Sequence, residues 1–203
     1  MKVALIGASG KIGRKIQDEL LARGHTVTAI ARNAGKLIVG HGIEAKPVDA
    51  ADVAALAAAL KGHDAVISSA PFAPGLSPAI IAAVKQSGVK RYIMVGGAGS
   101  LEVAPGKMLK DTLTLPDAVR AILDEAAENL KRLRAESTLE WTFFSPAAEI
   151  GPGARTGRFR LGSDQLLTDP LGKSRISYPD YAIALVDELE KGKHIRQRFT
   201  VAY

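Results

Sequence analysis

Apolar residues fall in short runs separated by stretches with a helical rhythm. The runs start near Val3, Val27, Ile43, Ala65, Tyr92 and Trp141. Between them Ile12, Ile16 and Leu20 are spaced four apart, which places them on one helix face. Val53, Leu56 and Leu60 recur likewise, as do Val119, Ile122, Leu123, Ala126, Leu130 and Leu133. Gly24, Gly62, Gly88 and Gly192 each stand just before the next run, where glycine suits the end of a helix. Asp52 and Asp117 stand where helices are expected to begin, and a carboxylate there can cap free N–H groups. Near-continuous apolar strands alternating with helices predict a parallel sheet covered on both faces. With right-handed crossovers the expected fold is α/β: a Rossmann-type, doubly wound, mostly parallel sheet forming a single domain over 1–203.

Two segments depart from this rhythm. Residues 97–116 form a long connection after the fifth run, and residues 146–178 are rich in Gly, Pro, Arg and Ser, with a short strand-like piece at Arg158-Phe159-Arg160. Long loops in compact domains are usually functional, and both follow the carboxyl ends of strands, where open α/β sheets bind ligands. They are expected to build the substrate side of the crevice.

Composition narrows the class. The 203 residues suffice for one sizeable core, with 47% hydrophobic and 24% charged residues. There is no cysteine, so there is no disulfide, thiolate nucleophile or cysteine metal site, and a cytoplasmic location is expected. The apolar start Met1–Ile6 is too short for a signal peptide. No segment approaches the roughly 18–20 apolar residues of a membrane span. The net charge of +6 comes from 27 basic and 21 acidic residues, dispersed along the chain. The densest group, Lys131-Arg132-Arg134, reads as a solvated helix face. With only 5% aromatics, nucleic acid is not an expected partner. His25, His41, His63 and His194 lack metal-ligand spacing and read as structural or exposed, so no metal is expected; Trp141 reads as core.

The chemistry concentrates at Gly7-Ala8-Ser9-Gly10-Lys11-Ile12-Gly13, between the first predicted strand and helix. Gly7 permits the turn, Gly10 lets a phosphate approach the backbone, and Gly13 lets the helix pack closely. Free N–H groups at the helix start then face a pyrophosphate. The second run ends Ala29-Ile30-Ala31-Arg32-Asn33. NAD binders usually carry an acid there for the ribose hydroxyls, whereas an arginine accommodates a 2′-phosphate. Arg32 therefore predicts NADP(H) in preference to NAD(H).

These segments resemble the atypical, extended branch of the short-chain dehydrogenase/reductase superfamily. Later ones are similar to its NADH-flavin reductase group, related to NmrA-like and biliverdin/flavin reductase B proteins: Val95-Gly96-Gly97-Ala98-Gly99-Ser100, Phe143-Phe144-Ser145-Pro146-Ala147, Arg155-Thr156-Gly157 and Arg175-Ile176-Ser177-Tyr178-Pro179-Asp180-Tyr181-Ala182. The resemblance covers nearly the whole chain. It implies that Asp49 lies near the adenine and that the backbone of Ser69, Ala70 and Pro71 passes along the cofactor. It also implies that Gly96 and Gly97 pass near the nicotinamide ribose, and that Pro146 and Ala147 flank the nicotinamide. Related flavin reductases place a serine after the fifth strand; the aligned position here is Gly99, with Ser100 beside it as the candidate catalytic hydroxyl.

Most members of the superfamily move a proton with a Tyr-x-x-x-Lys pair. None of the four tyrosines here (Tyr92, Tyr178, Tyr181, Tyr203) has a lysine four residues on. Flavin reduction needs less, because a stacked nicotinamide and flavin carry the chemistry between them. The expected function is thus an NAD(P)H-dependent reductase passing hydride to a small-molecule flavin or quinone-like acceptor, with FMN or another flavin as candidate substrate, acting as a monomer or homodimer. Arg155, Arg158 and Arg160 are candidates to meet an anionic substrate. Two rivals stay open: a non-catalytic, NmrA-like NADP(H) sensor, and a nucleotide-sugar epimerase or dehydratase.

Overall fold

The run beginning at Val3 shows how the sheet takes up its residues. In β1 (Lys2–Ile6), Val3 and Leu5 join one apolar cluster and Ala4 and Ile6 the other, because successive side chains leave a strand on opposite faces. Both faces are therefore covered. The computed structural model describes residues 1–203 apart from 34, 36, 38 and 39.

After β1 the chain runs through α1 (Lys11–Ala22), β2 (Thr26–Ala31), β3 (Ile43–Pro47), α2 (Val53–Leu60), β4 (Ala65–Ser68), α3 (Leu76–Ser87) and β5 (Arg91–Val95). A small antiparallel pair, β6 (Glu102–Ala104) and β7 (Lys107–Met108), precedes α4 (Asp117–Arg134) and β8 (Glu140–Ser145). The last part holds β9 (Glu149–Gly151), β10 (Arg160–Gly162), β11 (Arg175–Ser177), α5 (Tyr178–Lys191) and β12 (Gln197–Ala202). Among the described residues the central sheet has eight strands in the order β10-β12-β8-β5-β4-β1-β2-β3. All its pairings are parallel except β10 with β12. β9 and β11 form a separate parallel pair.

This is the expected doubly wound, single-domain Rossmann architecture. Helices α1 and α5 pack together over the face bearing Ile16, Leu20, Leu185 and Leu189. Helices α2, α3 and α4 cover the other, with Leu56, Leu60, Ile80, Val84, Leu130 and Leu133. Phe144 stacks between Tyr181 and Phe199 at ring-centroid distances of 4.2 and 4.0 Å, fastening α5 to β8 and β12. Trp141 is core, as expected. Chain order reverses at β1, which has β2 on one side and β4 on the other; that is the switch point where such sheets open a crevice.

Local signals hold with instructive exceptions. Asp52 caps α2, accepting from the Ala55 N–H at 3.0 Å. Asp117 does not cap α4: Pro116 takes that position, and Asp117 is the first helical residue. The apolar stripe predicted for α4 is only half used. Ala126, Leu130 and Leu133 are buried, but Val119 and Ile122 are 40% and 48% exposed, because the first turns of α4 run past the edge of the core. β3 is also less apolar than its neighbours, since it is the edge strand. The basic group on α4 is a solvated face with partners: Arg132 reaches Glu125 and Arg134 reaches Asp164. No helix among the described residues is long and apolar enough to cross a membrane.

Candidate functional site

A cleft runs across the carboxyl ends of the strands in two adjoining parts. The first, about 690 Å³, opens over β1 and β2 and is lined by Gly7, Ser9, Arg32, Asn33, Asp49, Ala70 and Pro71, among others. The second, about 620 Å³, opens over β4, β5 and β8 and shares Ala70 and Pro71 with the first. Its walls also carry Gly10, Lys11, Ile12, Gly96, Gly97, Pro146 and Ala147. Fold topology thus gathers residues from the ends of β1, β2, β3, β4, β5 and β8 along one continuous groove.

The glycine loop is shaped by close approach. Gly7 has φ +80°, and a Cβ there would sit 2.4 Å from the Ser69 carbonyl oxygen. A Cβ on Gly13 would sit 2.3 Å from the Gly7 carbonyl oxygen, so only glycine lets α1 start this close to β1. Gly10 stands at the N-cap of α1 without a side-chain cap, leaving the first amides of the helix without a side-chain acceptor. Such a terminus, at the point where both parts of the cleft meet, fits a pyrophosphate. Ala8 is buried beneath the loop rather than exposed in the cleft.

Around the first part the polar groups form a rim. Arg32 is exposed just past the end of β2 and has no hydrogen-bond or ion-pair partner among the described residues. Asn33 accepts from the Gly35 N–H at 2.9 Å. Asp49 accepts from the Ala51 N–H at 3.0 Å with one carboxylate oxygen, so it shapes its own turn while facing the cleft.

The second part is different in kind. Beyond the glycines it is lined by Phe72, Val95, Leu109, Leu113, Leu123 and Ile150. Both irregular segments contribute, through Ala98, Gly99, Leu109 and Leu113 from 97–116 and Ala148, Ile150 and Tyr178 from 146–178. Gly96 answers a packing demand as well, since a Cβ there would press into the Phe143 ring at 2.3 Å.

Ser100 is 4% exposed and is absent from both linings. Arg198 donates to its carbonyl oxygen at 3.0 Å and to its hydroxyl at 3.2 Å, and also pairs with Asp164. Arg155, Arg158 and Arg160 are likewise absent from both linings. Arg155 pairs with Glu19 at 3.0 Å, and Arg160 donates to the carbonyls of Thr168 and Tyr203.

Sequence spacing marked none of Phe72, Leu109, Leu113, Ile150 or Tyr178 as a site residue, and placed Leu123 only on the apolar face of a helix. The usable signal was Ser177-Tyr178-Pro179-Asp180, a cap followed by proline in the first turn, which puts Tyr178 at the opening of α5. The Ser177 hydroxyl accepts from the Asp180 N–H at 3.1 Å. The buried Asp180 carboxylate in turn accepts from the N–H groups of Thr156 and Gly157 and the hydroxyls of Thr156 and Tyr203, fixing the segment before β10 against α5. Burial disfavours the charge on Asp180, but these hydrogen bonds outweigh it and hold the carboxyl below the usual range.

Comparison with known proteins agrees with this geometry. A family described as NAD(P)H-binding matches residues 7–191. The chain is 41% identical to the protein YwnB of Bacillus subtilis (strain 168), over 99% of this chain and 98% of that one. It is 26% identical to an NAD(P)H azoreductase of Xenophilus azovorans, over 98% of this chain and 67% of that one. Among solved structures, a Burkholderia pseudomallei protein provisionally named as exported shares 47% identity with full coverage of both chains at a TM-score of 0.90. A Bacteroides thetaiotaomicron protein provisionally named an epimerase shares 43% identity, over 100% of this chain and 96% of that one, at a TM-score of 0.95. A Streptococcus pneumoniae TIGR4 protein provisionally named an NADH-flavin reductase shares 37% identity, over 100% and 99%, at a TM-score of 0.86. By fold, cleft and family match, the chain belongs to the NAD(P)H-binding family.

Proposed function

We propose that this protein is an NADPH-dependent reductase of neutral, flat, conjugated acceptors such as a quinone, a riboflavin-like isoalloxazine or an azo compound. The observation that carries this reading is the second part of the cleft. It adjoins the glycine loop, it is walled by apolar side chains with the Phe72 ring among them, and Lys11 is its one charged lining residue among the described residues. Lys11 opens α1, where it is placed to meet the pyrophosphate instead.

In this reading the residues divide the work. Gly7 to Gly13 hold the pyrophosphate, Arg32 pairs with the 2′-phosphate, and Asn33 and Asp49 border the adenosine. Gly96, Gly97, Pro146 and Ala147 seat the nicotinamide ribose and ring. The bound dinucleotide supplies the hydride; the apolar wall aligns the acceptor and keeps water away from the transfer. Ser100, held by Arg198 beneath its loop, serves the scaffold. The names of the azoreductase and NADH-flavin reductase relatives agree with hydride transfer to conjugated acceptors. An epimerase of this fold would draw on a Tyr-x-x-x-Lys pair, which the sequence lacks. A cytoplasmic site of action, where NADPH is regenerated, belongs to the same reading.

The test is NADPH and NADH titration followed by an acceptor screen. NADPH is expected to bind more tightly than NADH, and riboflavin, a simple quinone and a neutral azo dye are expected to outpace FMN. Tight NADPH binding without oxidation by any acceptor would overturn the reductase reading in favour of a redox sensor.

A further inference from the structure

The four tyrosines sit in different surroundings, two of them in the core. Tyr92 and Tyr181 are fully buried, and burial pushes both phenols up and holds them protonated. The Tyr181 hydroxyl donates to the Phe144 carbonyl at 2.6 Å. The Tyr203 hydroxyl donates to Asp180 at 2.9 Å and accepts from the Ser177 N–H at 3.2 Å. Only Tyr178 lines the second part of the cleft, and its hydroxyl has no hydrogen-bond partner among the described residues.

The polar side chains lining that part, among the described residues, are Lys11, Ser69 and Tyr178. Lys11 and Ser69 sit beside the glycine loop: Lys11 opens α1, and the Ser69 backbone is packed against Gly7. Tyr178 opens α5, and Ala148 and Ile150 line the same part of the cleft. The Tyr178 backbone is fixed on both sides. Ser177 caps the helix, Pro179 stands in the first turn, and Tyr203 ties Ser177 to Asp180. A phenol so placed, in an apolar wall and without an internal partner, is a proton donor waiting for an acceptor atom.

We propose that Tyr178 is the proton donor to the reduced acceptor, replacing the tyrosine of the absent Tyr-x-x-x-Lys pair from a different helix. The inference rests on the reductase reading above. For an azo compound the balance is explicit. One nitrogen receives hydride from the dinucleotide, which is oxidised, and the N=N π bond breaks as its electron pair moves to the second nitrogen. The Tyr178 Oη–H bond breaks as its proton goes to that nitrogen, giving the hydrazo product. The phenolate left on Tyr178 recovers a proton from water at the cleft mouth. For a quinone the same proton goes to the carbonyl oxygen that gains charge.

The test uses Tyr178→Phe in the full chain. In the complex with NADP+, which cannot reduce the dye, equilibrium binding of a neutral azo dye is expected to weaken about fivefold, as for one lost hydrogen bond. The dye's visible absorption in that complex is expected to shift relative to wild type. Turnover with NADPH is expected to fall about 100-fold, the low end of general acid catalysis, with the solvent deuterium effect on the wild-type rate lost. Affinity for NADPH is expected to stay within about twofold, because no cofactor contact is removed. Unchanged dye affinity and spectrum, turnover within about threefold of wild type, or a loss that only follows weaker NADPH binding would each overturn the proposal. Failure of the wild type to reduce any acceptor would instead sink the reductase reading, and the proposal with it.

Discussion

Over β1 and β2 the cleft presents backbone amides at the start of α1 and the polar side chains of Arg32, Asn33 and Asp49. Over β5 and β8 it presents Val95, Leu109, Leu113, Leu123 and Ile150, with two aromatic rings and little charge. The first half can recognise a ligand by charge and by how closely backbone can approach. The second can recognise one mainly by shape and by the apolar area it covers. A site divided this way suits a dinucleotide held by its phosphates and a second molecule held against its far end. The two halves also differ in legibility: the glycine loop of the first is one contiguous run, whereas the apolar lining of the second comes from residues far apart in the sequence.

The division can be broken most severely at the loop where the halves meet. Gly7→Val places a side chain at φ +80° and against the Ser69 carbonyl. Strain and clash of this kind cost about 1–3 kcal/mol or more, and the displaced loop is expected to abolish NADPH binding in a fluorescence titration and to lower the melting temperature. Retained affinity would show that the loop is not the phosphate cradle.

Arg32→Glu tests the charged half alone. Losing a charge-assisted hydrogen bond costs about 1.5–3 kcal/mol, so NADPH binding is expected to weaken roughly 10- to 100-fold. NADH binding is expected to change little, which reverses or removes the preference. An unchanged NADPH-to-NADH ratio would remove Arg32 from the site.

Leu113→Glu tests the apolar half alone. Leu113 is partly exposed at the rim of the second part. A carboxylate there opposes the entry of a neutral acceptor, and KM for a quinone is expected to rise about tenfold with the NADPH dissociation constant unchanged. A parallel loss of NADPH affinity would mean that the halves are not separable.

The smallest effect is expected at the opposite end of the sheet. His63, buried before β4, contacts the Leu60 carbonyl at 2.8 Å and the Thr28 hydroxyl at 2.7 Å. Burial lowers its pKa below the ordinary value. The unfolded chain therefore takes up a proton that the folded chain resists, and the stability His63 contributes is present above about pH 6.5 and lost as pH falls through its folded pKa. Thermal melts at pH 7.5 and pH 5 are expected to show a drop of a few degrees that is smaller in His63→Gln, with NADPH affinity at pH 7.5 unaltered by that substitution. An identical drop in both proteins would assign the acid sensitivity elsewhere.

Much of the scaffold was legible because its signals are local. Ile12, Ile16 and Leu20 needed only helical spacing, and Asp52 only its place before a helix. Asp117 failed as a cap because Pro116, one residue earlier, takes that position without a side-chain oxygen to offer. Val119 and Ile122 failed as core because periodicity tells which face they share and not whether anything lies opposite. Gly96 was read for its approach to a cofactor, yet the Phe143 ring beneath it demands glycine as firmly. Tyr178 was tested only against a lysine four residues on; that spacing rule describes one helix of the superfamily and is blind to a phenol brought in from another.

The sequence by itself determined the strand-turn-helix at Gly7 to Gly13, Arg32 at the end of β2, and the order of strands and helices that makes a doubly wound sheet. These depend on neighbours a few residues apart, so backbone sterics and side-chain periodicity suffice. Only the tertiary structure decided that Phe72, Leu113, Leu123, Ile150 and Tyr178 line one part of the cleft, that Arg198 engages the Ser100 hydroxyl, and that Tyr178 alone among the tyrosines lines the cleft with its hydroxyl unengaged among the described residues. Those outcomes turn on which surfaces the crossovers bring together, and on which hydroxyls find partners once they do.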